Sequence, residues 1–235
     1  TVEFLMESPA AVDPVAVNRI PAHGAVEYVY GNGAKVIFIR SDISEGQVDL
    51  WAESQGGWTL LTPGRSALVD KATGAVDRSG VADLSALEVE AFQQSEGVWL
   101  ASMIDETTEG FMGSARSTDL EDLFALLHLR ITAPRVDKPA FGEALEAIAS
   151  EQRSAEADPY AASSVQLADA RYGGDAYFRP YPDDAQTREF WPGGALALFE
   201  SRLGEVDDLV IAVVGDTDEN TVGSLADRYV GTLPA

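Results

Sequence analysis

The chain has 235 residues, 46% of them hydrophobic, which is enough to bury one large α+β core. Acids outnumber bases 39 to 16, a formal net charge of −23, and this argues against nucleic acid and anionic membrane surfaces as partners, since both select clustered Lys and Arg. The same charge favours solubility and weakly attracts basic peptides. There are no cysteines, so disulfide scaffolds, thiolate zinc sites and cysteine nucleophiles are ruled out, and no apolar run reaches the length of a membrane span.

Residues 1–23 carry Pro9, Pro14 and Pro21 without sustained periodicity and read as an extended lead-in or linker, leaving 24–235 as one domain. The opening at Thr1, with neither Met nor an apolar signal-peptide core, reads as a processed chain or a piece of a longer one, compatible with a periplasmic or secreted parent. Strands are predicted at Val26–Tyr30 and Lys35–Ile39, joined by Gly31-Asn32-Gly33, because a tight primed turn needs positive φ. Gln47–Ser54 alternates Val48, Leu50 and Ala52 with polar residues and is a half-buried strand ended by Gly56-Gly57.

A small-residue helix follows from Ser66 to about Val76. A second is predicted with Asp83 as its cap and Leu84, Leu87 and Ala91 on one face. Val98–Ile104 and Gly110–Ala115 are strand-like. A helix from Thr118, with Glu121 completing a capping box, buries Leu120, Leu123, Phe124, Leu127 and Ile131, and Ala133-Pro134 stops it. Phe141, Leu145 and Ile148 stripe the next helix, and 160–172 is helical up to Gly173-Gly174. Asp175–Pro192 reads as a proline-rich loop and 193–203 as a helix. Leu209–Val214 is an apolar strand, and a helix over about 218–230 closes the chain.

Two passages resemble the insulinase/pitrilysin (mitochondrial-processing-peptidase-like) family of zinc metallopeptidases. Tyr30-Gly-Asn-Gly-Ala-Lys-Val-Ile37 is similar to the family's opening hairpin, and Val213-Val-Gly-Asp216 with Tyr229-Val-Gly-Thr-Leu-Pro234 is similar to its closing segment. Ile131-Thr-Ala-Pro134 resembles the turn before its long helix. The resemblance runs from about residue 24 to the end and implies an α+β fold, an antiparallel sheet with helices packed on one side. The pattern of strands and helices gives that class independently.

An active repeat of this family carries H-x-x-E-H on its first helix and a further Glu downstream. Two imidazoles four residues apart share one helix face and ligate zinc, and the Glu between them deprotonates the bound water. The corresponding helix here reads Ser66-Ala-Leu-Val-Asp-Lys-Ala-Thr73 and has no histidine; the chain's two, His23 and His128, lie elsewhere. Asp70 and Lys71 then read as a solvated face. Glu151, in Ala147-Ile-Ala-Ser-Glu-Gln-Arg153, resembles the setting of the downstream ligand, but without imidazoles it reads as an exposed helix charge. His128 reads as a partly buried helix residue and His23 as an exposed linker residue.

The resemblance thus implies a non-catalytic domain with no catalytic residue, metal ligand or cofactor of its own. Zinc is expected in a homologous peptidase domain, in the same chain or in a separate subunit, and the pair would enclose a peptide substrate. The alternative is a freestanding inactive subunit that recruits a catalytic partner; a hydrolase built on carboxylates alone finds no supporting constellation. Non-catalytic repeats of active members help hold substrate, in some cases with an Arg and a Tyr on a strand and the helix after it, and here the stretch Gly110–Leu123 offers Arg116 but no tyrosine. Arg179 and Tyr181, in a proline-flanked loop, are the other close Arg/Tyr pair in a loop setting and the candidates for peptide contact. Asp105–Glu109 reads as a strand-connecting turn, and Trp51, Trp58, Trp99 and Trp191 as core or interface residues.

Overall fold

In the computed structural model, which describes residues 5–173, 182 and 184–235, seven strands form one sheet in the order β1-β2-β3-β7-β4-β6-β5. They are β1 (Ala16–Ile20), β2 (Ala25–Val29), β3 (Lys35–Arg40), β4 (Gln47–Gln55), β5 (Trp99–Ile104), β6 (Thr108–Arg116) and β7 (Val210–Gly215). Every neighbouring pair is antiparallel except β3–β7. The α+β expectation therefore holds, with a single parallel pair where the late strand inserts at the centre. That insertion suits the composition of β7, whose residues are all apolar or Gly and can sit between two neighbours without a charged side chain in the core.

The helices are α1 (Pro63–Asp77), α2 (Ala86–Glu96), α3 (Leu120–Thr132), α4 (Lys138–Ala157), α5 (Pro159–Tyr172), α6 (Asp184–Glu189), α7 (Pro192–Leu203) and α8 (Glu219–Tyr229). Strand alternation decides which sheet face they cover. β4 turns Val48, Leu50 and Ala52 inward and Asp49, Trp51 and Glu53 outward, and β7 turns Ile211 and Val213 inward. The main core lies between this inner face and α2, α3, α7 and α8; Phe111 meets Phe199 edge to face, with ring centres 6.4 Å apart. A second core, of Leu68, Val69, Phe141, Ile148, Phe190 and Leu198, joins α1 to α4 and α7. Helix α3 is buried nearly all round, His128 and Arg130 included, which is why its sequence is apolar beyond the five predicted positions.

The two passages that carry the family resemblance meet in space. The Asn32 amide donates to the carbonyls of Val230 and Leu233 at 2.9 and 3.0 Å, and the Tyr30 hydroxyl donates to Asp227 at 2.8 Å. Gly33 has φ +95°, and a Cβ there would stand 2.2 Å from the Asp207 carbonyl, so the turn excludes any larger residue on both counts. Hairpin and closing segment are thus one structural unit, separated by nearly the whole chain.

Four expectations change at this level. Residues 16–20, inside the expected lead-in, add the edge strand β1 to β2. Helix α2 is capped by Ser85 with Glu88 in a reciprocal capping box, not by Asp83; it buries Val89 and Phe92 and leaves Leu87 exposed. The box at Thr118 and Glu121 does not form: a 3-10 turn over Ser117–Asp119 precedes α3, and Glu121 instead accepts from Arg228 and the Tyr229 hydroxyl. In the expected loop Asp175–Pro192, α6 occupies Asp184–Glu189, while 175–181 and 183 lie outside the described residues.

Candidate functional site

Helix α1 begins after Thr62, with Pro63 at its first position, where a missing N–H costs nothing. Ala72, Ala75 and Ala144 keep side chains short along the seam between α1 and α4, so the two helices pack closely. At one edge of that seam the Lys71 ammonium meets Glu151 Oε1 at 2.5 Å. Lys71 is mostly covered, and Glu151 Oε2 is buried with no hydrogen-bond partner of its own. Its negative charge is therefore balanced by the single ammonium beside it. Asp70 reaches solvent, yet its pKa stands above the usual carboxylate range, from desolvation first, with Asp105 and Glu151 adding and Lys71 opposing.

This corrects the reading of Lys71 as a solvated charge and gives Glu151, whose side chain is 41% exposed, a partner: the two helices bring them together across 80 residues. It also tests the zinc chemistry. A metal facing Glu151 from α1 would need imidazoles on the face that carries Lys71, one turn apart, hence at 71 with 67 or 75. Those positions are Ala67 and Ala75, which have no donor atom, and Lys71, a cation that repels a metal. The residues present do not fit zinc, and no catalytic step is derived through it.

A second acidic group, Glu96, Asp119 and Asp122, brings carboxylate oxygens within 4.8 Å of one another. Burial first, then repulsion from Glu96, Asp119 and Glu121, pushes Asp122 up to about 6, while Arg116 pairs with Asp119 at 2.5 Å. This donor set also lacks nitrogen and sulfur.

His128 is buried as its helical setting implied, its Nδ1 2.8 Å from the Tyr229 carbonyl, and His23 is exposed. Arg179 and Tyr181 lie outside the described residues. Two polar groups escaped sequence reasoning because their partners are distant in the chain. Glu109, placed in a turn by the sequence, is on β6 and buried: it accepts from Arg202 Nε and a terminal guanidinium nitrogen at 2.7 and 2.6 Å and from the Gly57 N–H at 3.0 Å. Arg130 points its guanidinium at the carbonyls of Val76, Asp77, Ser79 and Gly80, which end α1 and begin the next loop. Alternation that placed Glu109 on the inner face with Phe111 was the one available signal.

Among the described residues no helix covers the centre of the outer sheet face, where Asp49 and Trp51 are exposed. Trp51 and Trp99 stand on it 45% and 49% exposed, and Trp191 is exposed elsewhere, so none of these three fills the core.

No family model matches the chain. It is 26% identical over 208 residues to "Probable zinc protease PqqL" of Haemophilus influenzae, covering 88% of this chain and 22% of that protein. The crystal structure of the periplasmic protease PqqL from Escherichia coli superposes over the whole chain with a TM-score of 0.88 at 21% identity, covering 26% of that chain. A peptidase M16 inactive domain from Pseudomonas fluorescens matches 89% of this chain and 51% of its own, with a TM-score of 0.70 at 17% identity. The fold is thus that of an M16 peptidase domain. In sequence the chain is similar to these zinc proteases and in fold to M16 peptidase domains, and it lacks the inverted zinc motif. It spans about a quarter of the length of the PqqL proteins it matches.

Proposed function

We propose that this chain serves as a non-catalytic domain of a zinc peptidase, packing against a homologous zinc-bearing domain and helping to enclose the peptide that domain cleaves. The observation that carries the reading is the Lys71–Glu151 pair: an ammonium faces the one carboxylate that would have joined a metal, so the chain contributes shape and surface but no Lewis acid. The relatives, several times longer than this chain and named as zinc proteases, support a division of labour among domains. Arg179 and Tyr181 belong to the proposed peptide-contacting surface. Among the described residues no helix is long and apolar enough to cross a membrane.

The test is association with activity as its readout. A zinc-bearing M16 domain mixed with this chain should form a complex in sedimentation, and its KM for a peptide should fall several-fold, because a second wall adds binding without adding chemistry. A zinc-bearing domain whose sedimentation and kinetics are both indifferent to the chain would overturn the reading.

A further inference from the structure

The uncovered sheet face has a chemistry of its own. Trp51, central on β4, pairs across the sheet with Met112 of β6 and Ala212 of β7 and divides the face into two shallow grooves. One, about 290 Å³, runs between Trp51 and Trp99 over Met112 and Val214, with Asp49 at its end. The other, about 370 Å³, runs between Trp51 and Val210, bounded by Glu53 and Asp208. The floors are apolar, and the acids are Asp49 in the first groove and Glu53 and Asp208 in the second; among the described residues no Lys or Arg lines either groove. Asp49 and Glu53 flank Trp51 at two-residue spacing and so share its face. The indole N–H of Trp51 donates to Glu53 at 3.2 Å, which orients the ring.

Glu53 accepts from Trp51 and Asp208 from the Gln55 N–H, but among the described residues no ion pair engages Asp49, Glu53 or Asp208. Aromatic walls beside such acids suit a ligand that is apolar and positively charged at once: indole rings bind aliphatic and aromatic side chains and also attract cations over their faces. A second copy of this chain is a poor occupant, because it would bring another net charge of −23 against the same acids.

From this we infer that the Trp51–Trp99 face binds peptide segments in which apolar residues are interspersed with Lys or Arg. The inference rests on the proposed role in enclosing peptide and names the class of peptide enclosed. Selectivity comes from Asp49, Glu53 and Asp208, and the apolar floor supplies sequence-tolerant affinity.

The experiment is a titration of the 235-residue chain against two fluorescent peptides of about a dozen residues, one built of Leu, Phe and Lys and the other with each Lys replaced by Glu, followed by anisotropy at low and at physiological salt. The expected result is at least about tenfold tighter binding of the basic peptide, weakened by salt and reduced to about twofold or less in an Asp49→Asn/Glu53→Gln variant. Trp51→Ala should weaken binding about tenfold or more. All three side chains lie on the outer face, so thermal unfolding of both variants should match the parent, which separates lost binding from lost fold. Equal affinity for the two peptides, with Trp51→Ala weakening both, would refute the charge selectivity and leave peptide enclosure standing. No saturable binding of either peptide would refute both. A dimer in sedimentation that Trp51→Ala dissolves would assign the face to a second copy and also refute the inference.

Discussion

Replacing Arg130 with methionine should destabilise the protein by about 3–5 kcal/mol, the cost typical of removing one member of a buried charged network. The guanidinium is buried inside the C-terminal turn of α1, where four carbonyls, of Val76, Asp77, Ser79 and Gly80, point at it from 2.8 to 3.2 Å. A helix end buried in this way has no water to satisfy its last carbonyls, and the arginine serves as both cap and countercharge. Burial lowers the pKa of Arg130, with Asp77 and Asp137 opposing that shift. The surrounding groups depend on the same loop: Asp137 accepts from the Gly80 N–H and its own N–H donates to Ser79, and Asp77 accepts from the Ser102 N–H and hydroxyl on β5. Lysine should restore only part of the loss, because one ammonium cannot match a planar fork of donors. In a chain of this length the methionine variant should melt roughly 10 °C lower, measured by calorimetry. A shift below about 1 kcal/mol would mean that the loop finds other donors.

The second large effect is expected at Glu109, whose carboxylate is 4% exposed and holds Arg202 through two parallel bonds while accepting from Gly57. Glu109→Gln keeps the shape but leaves Arg202 of α7, its side chain 16% exposed, with a mostly buried, unpaired charge, a change worth about 3 kcal/mol or more. Adding Arg202→Met should recover part of that loss, so the two substitutions together cost less than their sum in chemical unfolding. Strict additivity would show that β6 and α7 are held by apolar packing alone, through Phe111 and Phe199.

What was legible in the sequence follows the range of the interaction. Strand alternation in β4, the Asn-Gly hairpin and the apolar run of β7 are local signals, and each of these elements formed where it was read. The absence of histidine from the α1 segment was equally plain. Cap assignments failed at α2 and α3 because Ser, Thr, Asp and Glu near a helix start offer several local bonds, and only the backbone path decides between them: Ser85 rather than Asp83 precedes α2, and Glu121 is drawn away to Arg228 and Tyr229. Pairings such as Lys71 with Glu151, Arg202 with Glu109 and Arg130 with the end of α1 join residues 50 to 93 positions apart, and nothing in the local pattern marks them. The order of the sheet was hidden for the same reason, since β7 reaches its place between β3 and β4 from far down the chain.

The central claim is that Lys71, with Ala67 and Ala75, leaves this domain without a catalytic metal, and metal analysis tests it most directly. The chain, purified, incubated with zinc and dialysed, should retain less than about a tenth of an equivalent, since carboxylates without nitrogen or sulfur partners seldom hold this ion. Retention near one equivalent, lost on Glu151→Gln, would show that the α1–α4 seam still builds a metal site and would contradict the account.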